Sequence, residues 1–183
     1  MTIQEFQKVF PIPEKPVETG NPKSWATYEK QLAVKLPSDY KEFIENYGTG
    51  CISMFLWIFN PFSKNKNLDL IPQVKKISSQ YQSQKEEMGE EACPYPVYPK
   101  SGGLIPFGIT DNGDVFFWLS ESKNPDQWPI VVNRVRSNDY ETHEKKLTGF
   151  LAGIVQGKIK SKIFTPEFID KDKLFLPANK VEY

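Results

Sequence analysis

The run Leu104-Ile-Pro-Phe-Gly-Ile-Thr-Asp-Asn-Gly-Asp-Val-Phe-Phe-Trp-Leu119 decides how this chain folds. Two apolar arms flank Asp111-Asn112-Gly113, which is the pattern of a β-hairpin. Asn112-Gly113 suits the positive φ angles of a tight primed turn. The arms carry too many aromatic and aliphatic side chains to stay in water. An antiparallel sheet, buried against other elements, is therefore expected at the centre of the fold.

Outward from the hairpin, Ile130-Val131-Val132 reads as a further strand because β-branched residues suit a pleated surface. Cys51 to Phe59 is a near-continuous apolar run, expected to be one central strand buried on both faces and ended by Asn60-Pro61. Helices surround these strands. Asn21-Pro22 opens the first, with Trp25, Tyr28 and Leu32 on one face. Leu36-Pro37 breaks it. The next carries Tyr40, Phe43, Ile44 and Tyr47 at core spacing, with Asp39 and Glu42 placed as a capping box and Gly48 as the stop. Leu70, Val74, Ile77 and Tyr81 predict a third helix over about 68–88, ended by Gly89. Leu147, Phe150, Leu151, Ile154 and Val155 predict a last one. Helices first, strands in the middle and a closing helix give α+β, a central antiparallel β-sheet covered by helices in a single domain. Residues 1–20 have little periodicity and read as an arm on the domain or a loose end.

With 183 residues, 39% of them hydrophobic, the chain can bury one real core. Lys plus Arg equals Asp plus Glu at 23 each, which argues against a general nucleic-acid binder, since that needs excess cations to displace phosphate counterions. The first fifteen residues lack the apolar region of a signal peptide, and no apolar stretch approaches the ~20 residues of a membrane helix. A cytoplasmic protein is expected, with Cys51 and Cys93 as free thiols.

Chemistry-bearing patterns are sparse. The one histidine, His143, lies in a polar segment and reads as a solvated loop residue. Asp111-x-Gly-Asp114 lacks the further carboxylates of a calcium loop, and turn chemistry explains it. No Walker loop, dinucleotide fingerprint or nucleophile elbow is present. Lys85-Glu-Glu-Met-Gly-Glu-Glu91 reads as a solvated helix end, or alternatively as an acidic patch for a basic partner. Tyr95, Tyr98 and Trp128 stand in Pro-rich loops, where amphipathic rings serve as binding anchors.

These segments together resemble the SUKH superfamily. The matching stretches are Trp25-x-x-Tyr-Glu, Leu36-Pro-Ser-Asp-Tyr-Lys-Glu-Phe-Ile-Glu-Asn-Tyr-Gly48, Asn60-Pro61-Phe62, Gly108 to Asp114 with Phe117-Trp118, and Leu147 to Lys158. Lys145-Lys146 depart from the small or acidic residue that many relatives place before the final helix, and Gly149 from a common acidic residue. Both departures weaken that helix's cap. The resemblance covers about residues 21–165, leaving 1–20 as an arm and 166–183 as a tail expected to pack on the domain.

The resemblance implies a non-enzymatic Smi/Knr-type domain, a bacterial immunity protein that binds and neutralises a cognate toxin, often a nuclease. No catalytic residue, cofactor or metal is carried over, and no direct nucleic-acid or membrane contact is expected. Carboxylates facing a basic nuclease mouth and aromatic anchors would form the contact. Asp111, Asp114 and Glu121, with Trp128, Tyr95 and Tyr98, are the residues expected to make it. Two other readings compete: a regulatory scaffold of the cell-wall-regulator kind, and a small hydrolase joining Cys93 or Cys51 to His143.

Overall fold

In the computed structural model, which describes residues 1–172 and 174–181, the central sheet is present and every neighbouring pair in it is antiparallel. Its strands are β1 (Gly50–Ile52), β2 (Leu56–Ile58), β3 (Leu104–Thr110), β4 (Val115–Leu119), β5 (Ile130–Asn133), β6 (Tyr140–His143) and β7 (Phe175–Pro177). Their order across the sheet is β6-β5-β4-β3-β2-β1-β7. The fold is α+β, as the sequence indicates.

The β3–β4 hairpin forms as expected, but with a different turn. Only Gly113 takes a positive φ, at 95°, while Gly113 N–H bonds to the Thr110 carbonyl at 2.9 Å. That is a three-residue connection in which a turn is followed by a left-handed glycine, and a primed pair is not required.

The run from Cys51 to Phe59 is not one strand. It folds back on itself as the β1–β2 hairpin, with Cys51 opposite Trp57 and Ile52 opposite Leu56. Ser53 and Met54 make the reversal at φ 53° and 55°, and Phe55 N–H closes it on the Ile52 carbonyl at 3.0 Å. Neither residue is one that favours this backbone region, so turn chemistry gives no warning.

Helices α1 (Ile3–Gln7), α2 (Trp25–Leu32), α3 (Ser38–Tyr47), α4 (Leu70–Ala92) and α5 (Leu147–Val155) cover the sheet. Side chains alternate across it. On one face Trp118 meets Tyr40 of α3 at 4.9 Å, and Phe116 meets Phe150 of α5 at 6.0 Å. On the other, α4 lies against β3, and Tyr140 of β6 meets Tyr95 in the loop after α4.

The N-terminal segment carries a short helix, opened by a capping box of Thr2 and Glu5. Phe6 and Phe10 are fully buried, stacked on each other at 4.7 Å, and the Tyr47 hydroxyl donates to the Phe10 carbonyl. Near the other end, β7 adds to β1, and Phe175 packs at 5.2 Å on Tyr47. Of the expected tail, residues 173, 182 and 183 lie outside the described residues.

Two caps differ from local expectation. Asp39 does not cap its own helix, which begins at Ser38 without a side-chain cap from Pro37. Ser38 N–H is instead met by Asp126 at 2.7 Å. Asp39 reaches the last helix, where its Oδ2 accepts Thr148 N–H at 2.9 Å and the Thr148 hydroxyl at 3.2 Å. Lys146, the residue before α5, supplies no cap, and the buried aspartate, 109 positions before Thr148, supplies it. At the α2–α3 junction Glu29 accepts Leu36 N–H at 3.0 Å and pairs with Lys35 and Lys41. Burial alone would raise its carboxyl, but these partners outweigh burial and hold it below the ordinary glutamate value.

Candidate partner-binding surface

Helix α4 buries Leu70, Val74, Ile77 and Tyr81 along one stripe. Beyond that stripe its polar residues fasten the proline-rich loop that follows. The Tyr81 hydroxyl bonds both the N–H and the carbonyl of Tyr95, at 3.1 and 3.2 Å. Lys85, one turn further, donates to the carbonyls of Cys93 at 2.6 Å and Tyr95 at 3.2 Å. The Tyr95 hydroxyl meets the Thr142 hydroxyl of β6 at 3.0 Å, and the Tyr98 hydroxyl donates to the Leu32 carbonyl at the end of α2. Burial pushes the Tyr81 hydroxyl up to about 12 and raises that of Tyr98, so both stay neutral hydrogen-bonding groups at neutral pH. Loop 93–98 is thereby tied to α2, α4 and β6.

This pinning leaves an open groove. Its first part, about 520 Å³, runs between Leu32 and Ala33 of α2, Val74 and Gln82 of α4, and Tyr98-Pro99. The Ser78 hydroxyl borders it, with its oxygen buried and no hydrogen-bond partner. A second part, also about 520 Å³, shares Gln82 and Val97 with the first and continues past Lys85, Glu86 and Glu90. Preorganised concave surface of mixed apolar and polar character is what a partner can use at little ordering cost.

The six residues singled out from sequence do not form one patch. Asp111 is exposed and its Oδ1 accepts the Trp57 indole N–H at 2.8 Å. Asp114 is buried: it accepts from the Thr110 hydroxyl and from Val135 N–H, both at 3.0 Å, which holds the hairpin turn. Trp128 is 4% exposed and its indole N–H donates to the Ser122 carbonyl at 2.7 Å. For these two, burial has spent on folding the groups that a contact would use. Glu121 is exposed, and Tyr95 and Tyr98 are half-buried. Asp111 and Asp114 sit at the closed end of the β3–β4 hairpin, with Glu121 at its open end. The strand rise separates those ends by roughly 17–20 Å. Tyr95 and Tyr98 belong to the pinned loop, and Tyr98 borders the groove.

Sequence patterns single out neither Ser78 nor Gln82, and mark Lys85 only as the start of the 85–91 charge run. One signal was available. Lys85 continues the spacing of Val74, Ile77 and Tyr81 onto the covered side of α4, where an ammonium needs carbonyl or carboxylate partners.

His143 is not a solvated loop residue. It lies on β6 with its side chain 13% exposed, against Phe150 at 4.9 Å and 3.4 Å from the Glu141 carboxylate. It shares no site with either thiol. Cys51, on β1, is five strand spacings away, about 24 Å. Cys93 faces Tyr81 and Tyr140 on the opposite side of the sheet from His143. Burial pushes the Cys51 thiol far up, which suppresses the thiolate that reactivity requires. Among the described residues no group of three His, Cys, Asp or Glu side chains is placed to hold a metal ion. No described helix is long and apolar enough to cross a membrane.

A family model named SUKH_6, described as SMI1-KNR4 cell-wall, matches residues 22–151, from the opening of α2 into α5. No curated protein and no solved structure matches the chain.

Proposed function

This chain belongs to the SUKH_6 family, described as SMI1-KNR4 cell-wall, and on that premise we propose that it is an immunity protein that binds and neutralises a cognate toxin by protein–protein contact. The observation that carries the reading is the groove beside loop 93–98, a concave surface that folding leaves unfilled and holds in place. Its chemistry is complementarity of shape and charge. A nuclease domain is the partner class we favour, because a nuclease attracts phosphate with cationic surface and an inhibitor meets that surface with carboxylates. Asp111 and Glu121 remain exposed carboxylates for such contact, with Tyr95 and Tyr98 as half-buried aromatic anchors. The cell interior, where such a toxin acts, is the proposed location.

The cell-wall description of the family supports a second reading, a regulatory module that binds several host proteins. One experiment separates the two. Cells expressing a candidate cognate toxin, taken from the neighbouring genes if one is encoded there, are grown with and without this protein. The immunity reading expects survival and a co-purifying complex. Death in both cultures, with no complex, defeats it and leaves the regulatory module.

A further inference from the structure

Three loops meet at one corner of the molecule, and each is fastened from behind. Residues 33–35 leave α2 through the left-handed turn at Ala33 (φ 53°), where Val34 N–H bonds the Glu29 carbonyl at 3.1 Å. Residues 98–101 are held by the Tyr98 hydroxyl on the Leu32 carbonyl and by Lys100 N–H on the Val97 carbonyl at 3.0 Å. Residues 120–128 are held by the Ser120 hydroxyl on the Gly103 carbonyl at 2.8 Å and by the Trp128 indole on the Ser122 carbonyl. Between the three loops lies a cavity of about 270 Å³. It shares Ala33, Tyr98 and Pro99 with the groove described above but is lined by no residue of α4.

Lys35, Lys100 and Lys123, one from each loop, line this cavity, and no Asp or Glu does. The carboxylates nearby leave positive charge over. Lys35 shares Glu29 with Lys41, so two ammonium groups divide one carboxylate. Among the described residues neither Lys100 nor Lys123 has an ion-pair partner. Lys100 also borders the second part of the groove, but there Glu86 is bonded to Gln82 and Glu90 is paired with Lys85. Asp126 is occupied by Ser38 N–H and Lys146. Glu121 is exposed and does not line the cavity. Three like charges held around one hollow repel one another until an anion enters. Ser101 adds a hydroxyl to the lining, and Pro99, Pro125 and Trp128 add apolar wall.

From this arrangement we propose that the cavity binds a phosphomonoester, with its phosphate among Lys35, Lys100 and Lys123 and its attached apolar group against Pro99, Pro125 and Trp128. Such a phosphate carries about −1.5 to −2 charges at neutral pH and so calls for more than one ammonium group. Lysine serves phosphate as a point charge and needs no forked geometry. The volume lies just below the ~300–1,000 Å³ of sites for drug-sized ligands, and it suits a phosphate joined to one ring. The inference does not rest on the toxin-binding reading.

The test titrates the purified full chain with phenyl phosphate, inorganic phosphate and phenol while backbone amides are followed by NMR. Phenyl phosphate is expected to shift Ser101, Ser122, Lys123 and the Trp128 indole. It is expected to bind about tenfold more tightly than inorganic phosphate, because the ring buries apolar surface, and phenol is expected not to bind. Lys100→Gln combined with Lys123→Gln is expected to weaken binding about tenfold or more and to leave the thermal midpoint unchanged, since neither lysine has an ion pair to lose. Lys75→Gln, on α4 and outside the cavity, is expected to leave the affinity unchanged. A tripeptide centred on phosphotyrosine identifies the source. Binding tighter than phenyl phosphate assigns the ester to a modified protein, binding no tighter assigns it to a small molecule, and both uphold the site. Absence of phenyl phosphate binding, equal affinity for inorganic phosphate, undiminished affinity in the double glutamine variant, or an equal loss in Lys75→Gln would overturn the proposal. No toxin enters these measurements, so failure of the immunity reading leaves this site standing, and the reverse.

Discussion

Asp39 shows how one carboxylate can serve an element far from it in sequence. Its Oδ2 takes the N–H and hydroxyl of Thr148, while Oδ1 is buried without a partner. Burial raises its carboxyl above the ordinary aspartate value, although the Thr148 bonds oppose the rise. Between the unfolded value, near 3.9, and the raised folded value, the native state holds the proton more tightly than the unfolded chain does. Stability from this group therefore falls as pH rises through that window. Asp39→Asn keeps an acceptor for Thr148 and removes the titration. Denaturant unfolding across pH 3 to 7 is expected to show the asparagine variant gaining on the wild type as pH rises. Asp39→Ala removes the cap and is expected to cost about 1–2 kcal/mol. None of this was legible locally. Asp39 and Glu42 have the spacing of a capping box, and spacing within one helix carries no information about a partner helix 109 positions away.

At the scale of elements, periodicity located most of what is long. The stripes of α3, α4 and α5 and the arms of the β3–β4 hairpin were all readable, because a buried face repeats at the period of its structure. Short elements were not. β1 and β2 have three residues each, all six buried, so their apolar run lacks the alternation that would mark two strands. β6 is Tyr-Glu-Thr-His, an edge strand whose polar composition hides its pairing with β5. The β1–β2 turn yields a direct test. Ser53 sits at φ 53°, a backbone region that costs a non-glycine residue roughly 1–2 kcal/mol, and its hydroxyl is buried without a partner. Glycine relieves both, against its larger loss of chain entropy on folding. Ser53→Gly is expected to raise stability by about 1 kcal/mol in denaturant unfolding, and a loss would show that the turn is held by something other than backbone geometry.

For the whole molecule, the family was legible because several modest motifs occur in a fixed order over most of the chain, and the matching family model spans residues 22–151. The candidate surface was legible only in fragments. Tyr98 and the 85–91 charge run were visible as residues, but the groove that loop 93–98 forms with α4 depends on contacts between Tyr81, Lys85 and the carbonyls after α4. Surface grooves follow no repeat that a sequence displays. A net charge of zero likewise conceals four carboxylates gathered within residues 86–91, two on either side of the kink at Gly89.

On the immunity reading proposed above, this protein acts by occupying another macromolecule and does not transform a substrate. Titrating the purified chain into a fixed amount of the proposed cognate toxin, while following the toxin's own activity, tests it most directly. Toxin activity is expected to fall linearly to a sharp end point at a fixed molar ratio, with both chains recovered intact from the complex. Loss of toxin activity at far below that ratio, or toxin activity unchanged at a large excess of the protein, would contradict it.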